Sequence, residues 1–147
     1  MAHIERSALV MYSAEQMFDL IHDVSRYPEF LPWCTAAHVV SDSDDELVAG
    51  MTVAKSGINQ TFTTRNKKLR PQWMTMELED GPFKQLNGIF KFQALSEDAC
   101  KISFELDFEV AGKMLSMALT PILKQAANTM VDTFVKRAEA IYGPTSL

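Results

Sequence analysis

Arg65, Lys67, Lys68 and Arg70 fall together in the segment TTRNKKLRP, the one dense group of cations in a 147-residue chain whose net charge is -5. Cations at that spacing suit phosphate, because Arg and Lys offer charged donors to its oxygens. Strand alternation divides the four between two faces, whereas a position near a strand end leaves most of them exposed. An exposed patch would meet RNA phosphates or an anionic membrane surface. The same residues serve equally as a solvated edge strand guarded by lysine against aggregation.

A second chemical signal is apolar. Nine Met and nine Phe are many for this length, and a thioether suits variable apolar partners because its rotamers adapt and its sulfur is polarizable. Phe30, Leu31 and Trp33 crowd a segment punctuated by Pro28 and Pro32; such groups must face a core, a cavity or a partner. Phe62, Met76, Phe90, Phe92, Phe104, Phe108, Met130 and Phe134 are the further candidates for one shared apolar volume. Residue types alone favour simple core filling for all of these.

Catalysis has little support. His3, His22 and His38 are scattered between a terminus, a helix and a strand, with no Ser or Cys nucleophile motif beside them. Glu77 and Glu79 alternate on one strand face, which an outward orientation explains. Cys34 and Cys100 form no CxxC, so two reduced, buried thiols are expected rather than a zinc site or a disulfide framework. Asp42, Asp44, Asp45 and Glu46 lack the ligand spacing of a calcium loop and read as a solvated hairpin.

These groups need elements to position them. His3 to Met11 reads as a strand. Ser13 is a helix N-cap, with Glu15 and Gln16 in the first turn and Met17, Leu20, Ile21 and Val24 at helical spacing. Asp23 to Arg26 interrupts that helix, and Pro28 predicts an extended Tyr27 with a new turn beginning at Glu29. From about Ala36 a meander follows, broken by turn compositions at 41–46, 56–59, 70–72, 79–82 and 96–98. Leu86, Gly88, Phe90, Phe92 and Ala94 share one face of a late strand; Ile102, Phe104, Leu106, Phe108 and Val110 share one face of the next.

After Gly112 the period becomes 3.6: Leu119, Leu123, Ala126, Met130, Phe134, Ala138 and Ile141 form a stripe that ends before Gly143 and Pro144. Pro121 either kinks this helix or, with Thr120 as cap, marks its start. The sum is one α+β domain over 1–147: a curved antiparallel sheet of about seven strands wrapped around a long C-terminal helix, with two short helices after the first strand.

Composition agrees with a single globular domain, with hydrophobic residues at 47% and charged ones at 22%. The acidic balance argues against a surface that binds nucleic acid everywhere. No apolar run approaches the roughly 20 residues of a membrane span. MAHIERS carries Glu5 where a signal peptide has its apolar segment, so a cytoplasmic chain is expected.

The element order, with SAEQMFDLIHDVSRYPEFLPWC, FTTRN at 62–66, DGPFKQLNGIFKF at 80–92 and CKISFELDFEV at 100–110, closely resembles the helix-grip family of bacterial RatA and the mitochondrial coenzyme Q-binding proteins. That family lies within the START-like polyketide cyclase and lipid-transport group, which also shares its fold with Bet v-like proteins. The resemblance implies a non-enzymatic protein that requires no cofactor and holds ubiquinone or a related lipid between sheet and helix, in support of respiration. Gln60, Thr64, Asn66 or Trp73 would then donate to the quinone oxygens. The alternative that it implies is a ribosome association toxin that binds the large ribosomal subunit and blocks subunit joining, with the basic cluster on ribosomal RNA. Polyketide cyclase activity follows only by analogy of fold.

Overall fold

The computed structural model describes residues 1–143. Strand β1 (Ala2–Val10) leads into helix α1 (Ala14–His22), a 3₁₀ helix η1 (Val24–Glu29), six strands and the long helix α2 (Lys113–Tyr142). The strands are β2 (Cys34–Asp42), β3 (Glu46–Lys55), β4 (Ile58–Leu69), β5 (Trp73–Asp80), β6 (Phe83–Ser96) and β7 (Ala99–Val110). They form one antiparallel sheet in the order β1-β7-β6-β5-β4-β3-β2, so β1 and β2 are its edges. This is the helix-grip architecture expected from the sequence.

Local chemistry starts α1. The Ser13 hydroxyl accepts from the Gln16 backbone N–H at 3.0 Å, and the Gln16 side chain accepts from the Ser13 N–H at 2.9 Å. Two orphan donors are thereby satisfied reciprocally, and Met17, Phe18, Leu20 and Ile21 are delivered into the core.

The segment after α1 differs from its expected form. Tyr27 and Pro28 lie inside η1, which ends at Glu29 rather than beginning there. Tertiary anchoring overrides the bias that proline places on its predecessor. The Tyr27 ring is buried, its hydroxyl donates to the Ile21 carbonyl, and its own carbonyl accepts from the N–H groups of Phe30 at 3.2 Å and Leu31 at 2.9 Å.

Helix α2 spans 30 residues without a break, with Pro121 inside it and Gly112 before it. Thr120 is therefore not a cap; its hydroxyl lies 3.2 Å from that of Ser116 one turn back. The buried stripe ends at Ala138 and includes Ala127 and Val131, while Ile141 is exposed. The C-terminal end of α2 is tied down: Tyr12 donates to the Gly143 carbonyl at 2.8 Å, Tyr142 to the Gln16 carbonyl at 2.9 Å, and Arg137 to Glu29 at 2.7 Å. The helix ends at Tyr142 with Gly143 as its C-cap, where the sequence predicts the stop, and Pro144 lies outside the described residues. Among those residues, no helix is long and apolar enough to cross a membrane.

Candidate functional site

The sheet curls over α2 without filling all the space beneath it. A cavity of about 80 Å³ remains, walled on one side by β3 to β7 and on the other by Leu123, Ala126, Ala127 and Met130 of α2. Four methionines, Met51, Met74, Met76 and Met130, border it together with Phe62, Phe83, Phe90, Phe104 and Phe108. An apolar cavity of ~150 Å³ binds benzene; this one is about half that size, so a quinone ring enters it only if side chains move. Thioether rotamers are the cheapest to move.

Of the apolar candidates, Trp33, Phe62, Met76, Phe90, Phe104, Phe108 and Met130 line this cavity. The other four lie elsewhere. Leu31 is fully buried in the core beneath η1. Phe92 packs edge-on against Phe18 of α1 with ring centres 5.5 Å apart. Phe134 fills the volume beside the cavity, meeting Tyr27 at 5.5 Å, Phe30 at 5.6 Å and Phe90 at 6.1 Å. Phe30 faces outward from there, with the Arg137 guanidinium 4.8 Å above its ring.

Sequence reasoning missed Val24, Tyr27, Ala49, Met51, Met74 and Phe83 as wall residues. Met74 had a usable signal, since it stands on the same strand face as Met76. Leu86, Leu106, Leu123 and Ala126 were already on the inward faces and simply went unnominated.

Two polar groups interrupt the wall. Thr64 and Asn66 alternate on the inward face of β4, opposite Ala49 and Leu47, and are 4% and 3% exposed. The Asn66 Oδ1 is buried with no hydrogen-bond partner among the described residues. A buried unpaired amide oxygen costs about 1–3 kcal/mol, and an amide can both donate and accept. The other two head-group candidates do not line the cavity: Gln60 lies one inward position before Phe62, and Trp73 faces the convex side, opposite Lys91.

The basic cluster is distributed rather than gathered into one free patch. Arg65 bonds both oxygens of Glu79, each at 2.9 Å, and also Glu46. Lys68 turns to the inward side, 8% exposed, and meets Asp42 and the His22 ring at 2.8 Å. Arg70 holds Asp19 with two bonds of 2.8 Å. Among the described residues only Lys67 of the four makes no ion pair. The acidic hairpin is correspondingly engaged through Asp42 and Glu46. Burial pushes the Asp42 carboxyl up, but the Lys68 hydrogen bond and the His22 charge outweigh it and hold it below the ordinary value.

The other histidines, the paired glutamates and the thiols stand apart from the cavity. His3 pairs with Asp107 at 2.6 Å on the convex face, and the His38 ring lies over Gly50. Glu77 and Glu79 are exposed on that face too. Both thiols are free and buried; burial pushes Cys34 up and, with the Glu15 charge, pushes Cys100 up to about 11.

With this geometry in hand, kinship is decided by a family profile described as polyketide cyclase / dehydrase and lipid transport, which matches residues 10–135. The chain belongs to that family. Its fold agrees: the Zhui aromatase/cyclase from Streptomyces sp. R1128 superposes with a TM-score of 0.80 at 17% identity, covering 94% of this chain and 93% of that one. Within the family, the ribosome association toxin RatA of Pseudomonas aeruginosa is 50% identical over 141 residues, 96% of this chain and 98% of that protein. A mitochondrial coenzyme Q-binding protein homologue from Xenopus laevis is more distant, at 27% identity over 93% of this chain and 58% of its own length. The RatA-like resemblance read from the sequence therefore holds.

Proposed function

We propose that this chain associates with the ribosome, binding the large subunit and hindering subunit joining. Quinone binding was the first expectation from sequence, and the relatives support it less than the ribosomal alternative. One observation carries the proposal: 50% identity to a protein named as a ribosome association toxin, over nearly the full length of both chains. The role needs no bond-making step, which suits a fold whose histidines lie apart on three different elements. Ribosome association would go with a cytoplasmic location. Purified chain added to subunits under joining conditions is predicted to raise the free-subunit peaks of a sucrose gradient at the expense of assembled ribosomes. An unchanged profile at saturating protein would overturn the proposal.

The cavity supports a second, compatible role: holding a small apolar molecule with one polar group. The unpartnered Asn66 Oδ1 beside Thr64 in an otherwise apolar wall favours it: that oxygen accepts only and would take a ligand hydroxyl, while the Asn66 Nδ2 and the Thr64 hydroxyl are the donors for ubiquinone-like head groups, one candidate class. Isoprenoid burial contributes about 0.8 kcal/mol per CH₂, so few polar contacts suffice. Solvent extraction of purified protein followed by mass spectrometry, with added quinone as control, is expected to recover a retained lipid. Neither a retained molecule nor saturable quinone binding would sink it.

A further inference from the structure

Of the four cations that the sequence clusters, only Lys67 is left without an ion pair among the described residues, and the sheet brings it into line with lysines from distant strands. Across the convex face, strand register sets Leu69 opposite Trp73, Trp73 opposite Lys91, and Gln93 opposite Lys101. Lys67 stands on the same face two residues before Leu69, its backbone N–H held by the Thr75 hydroxyl at 3.0 Å. Lys67, Lys91 and Lys101 are exposed and make no ion pair among the described residues. They come from β4, β6 and β7, all interior strands, so guarding a sheet edge does not explain them.

Half-buried Trp73 lies between these lysines and borders a shallow cleft with Pro71, Gln72, Lys91 and Gln93. Towards the opposite end, the outward positions of the same face turn acidic, with Glu77, Glu105, Asp107 and Glu109.

We infer that Lys67, Trp73, Lys91 and Lys101 form a contact strip for unpaired RNA. The inference rests on the ribosomal reading and names the surface that serves it. Lysines track the phosphates, the indole face stacks an unpaired base, and the Gln72 and Gln93 amides reach base edges. An extended anionic membrane fits this face less well, because a plane that meets the strip also approaches the acidic end. An RNA loop touches the strip alone.

The test compares K67Q/K91Q/K101Q and W73A with K113Q/K124Q/K136Q, a control carrying the same charge change on α2, after circular dichroism confirms folding. Each is measured by co-sedimentation with purified large subunits and by fluorescence anisotropy with a labelled single-stranded RNA. Vesicles containing phosphatidylserine form a third arm.

The strip variant is expected to lose about tenfold in RNA affinity, and its salt slope to fall by roughly 2, at about 0.7 per lysine removed. W73A is expected to weaken binding with little change in slope, and the α2 control to match wild type. If wild type pellets with subunits and the strip variant pellets equally, the strip is wrong and the ribosomal reading stands. If wild type does not pellet, that reading falls, and the strip is judged by RNA anisotropy alone. Equal RNA affinity of wild type and strip variant, or loss confined to vesicle binding, overturns it.

Discussion

Arg65 holds Glu79 across β4 and β5 with two hydrogen bonds of 2.9 Å and takes Glu46 of β3 with its remaining amino group. A guanidinium gripped from two neighbouring strands has its charge compensated within the protein. The residue that looks most suited to phosphate in the sequence thus ties three strands together.

That pair gives stability a pH dependence. Hydrogen bonding to Arg65 holds the Glu79 carboxyl below its ordinary value. The folded value being the lower one, the contribution is present above the unfolded carboxylate range, near pH 4.3, and is lost as pH falls through the folded value. Glu79→Gln is expected to lower Tm at pH 7, with the difference from wild type shrinking to nothing in strong acid. A difference independent of pH contradicts the pairing.

Asn66 predicts a gain. Its unpartnered oxygen faces an apolar wall, and replacing an unsatisfied buried polar group by an apolar one of similar shape removes a penalty of about 1–3 kcal/mol. Asn66→Leu is expected to raise the unfolding free energy in urea by about 1 kcal/mol and to abolish retention of any hydroxyl- or carbonyl-bearing ligand. A clear loss of stability would mean that the amide is satisfied.

Phe134 and Met130 sit one helical turn apart and should behave differently. Phe134 is 0% exposed among three aromatic rings, so Phe134→Ala is expected to cost about 3–5 kcal/mol. Met130 already borders empty space; Met130→Ala is expected at the low end for methionine, about 2 kcal/mol. Urea titration of both variants checks the order, and equal costs contradict the placement of the cavity.

Helix α2 is anchored unequally. Its C-terminal half buries Ala126, Ala127, Val131, Phe134 and Ala138 and is tied through Arg137 and Tyr142. Its first turns bury Leu119 while Met114 and Met117 stay 86% and 73% exposed. Pro121 offers no N–H to the Met117 carbonyl. Backbone amides of 113–120 are expected to exchange with deuterium faster than those of 126–138; uniform protection along α2 rules this out.

Much of the fold was legible because its signals are local. Period-two alternation marked the inward faces of β6 and β7, Ser13 marked the start of α1, and short polar runs marked the turns between strands. Depth was not legible. A helical stripe gives the face shared by Met130 and Phe134, but not that one borders a cavity and the other fills the space beside it. Pairing was not legible either: the carboxylates that engage the basic cluster, Asp19, Asp42, Glu46 and Glu79, come from α1, β2, β3 and β5. The strip around Trp73 exists only once strand register aligns residues far apart in the chain.

The most direct test of ribosome association is co-sedimentation of the wild-type chain with purified large subunits through a sucrose cushion across a range of protein concentrations. Saturable pelleting that weakens steeply with added salt, and no pelleting without subunits, is the predicted result. Protein left wholly in the supernatant at low salt and excess subunits would contradict it.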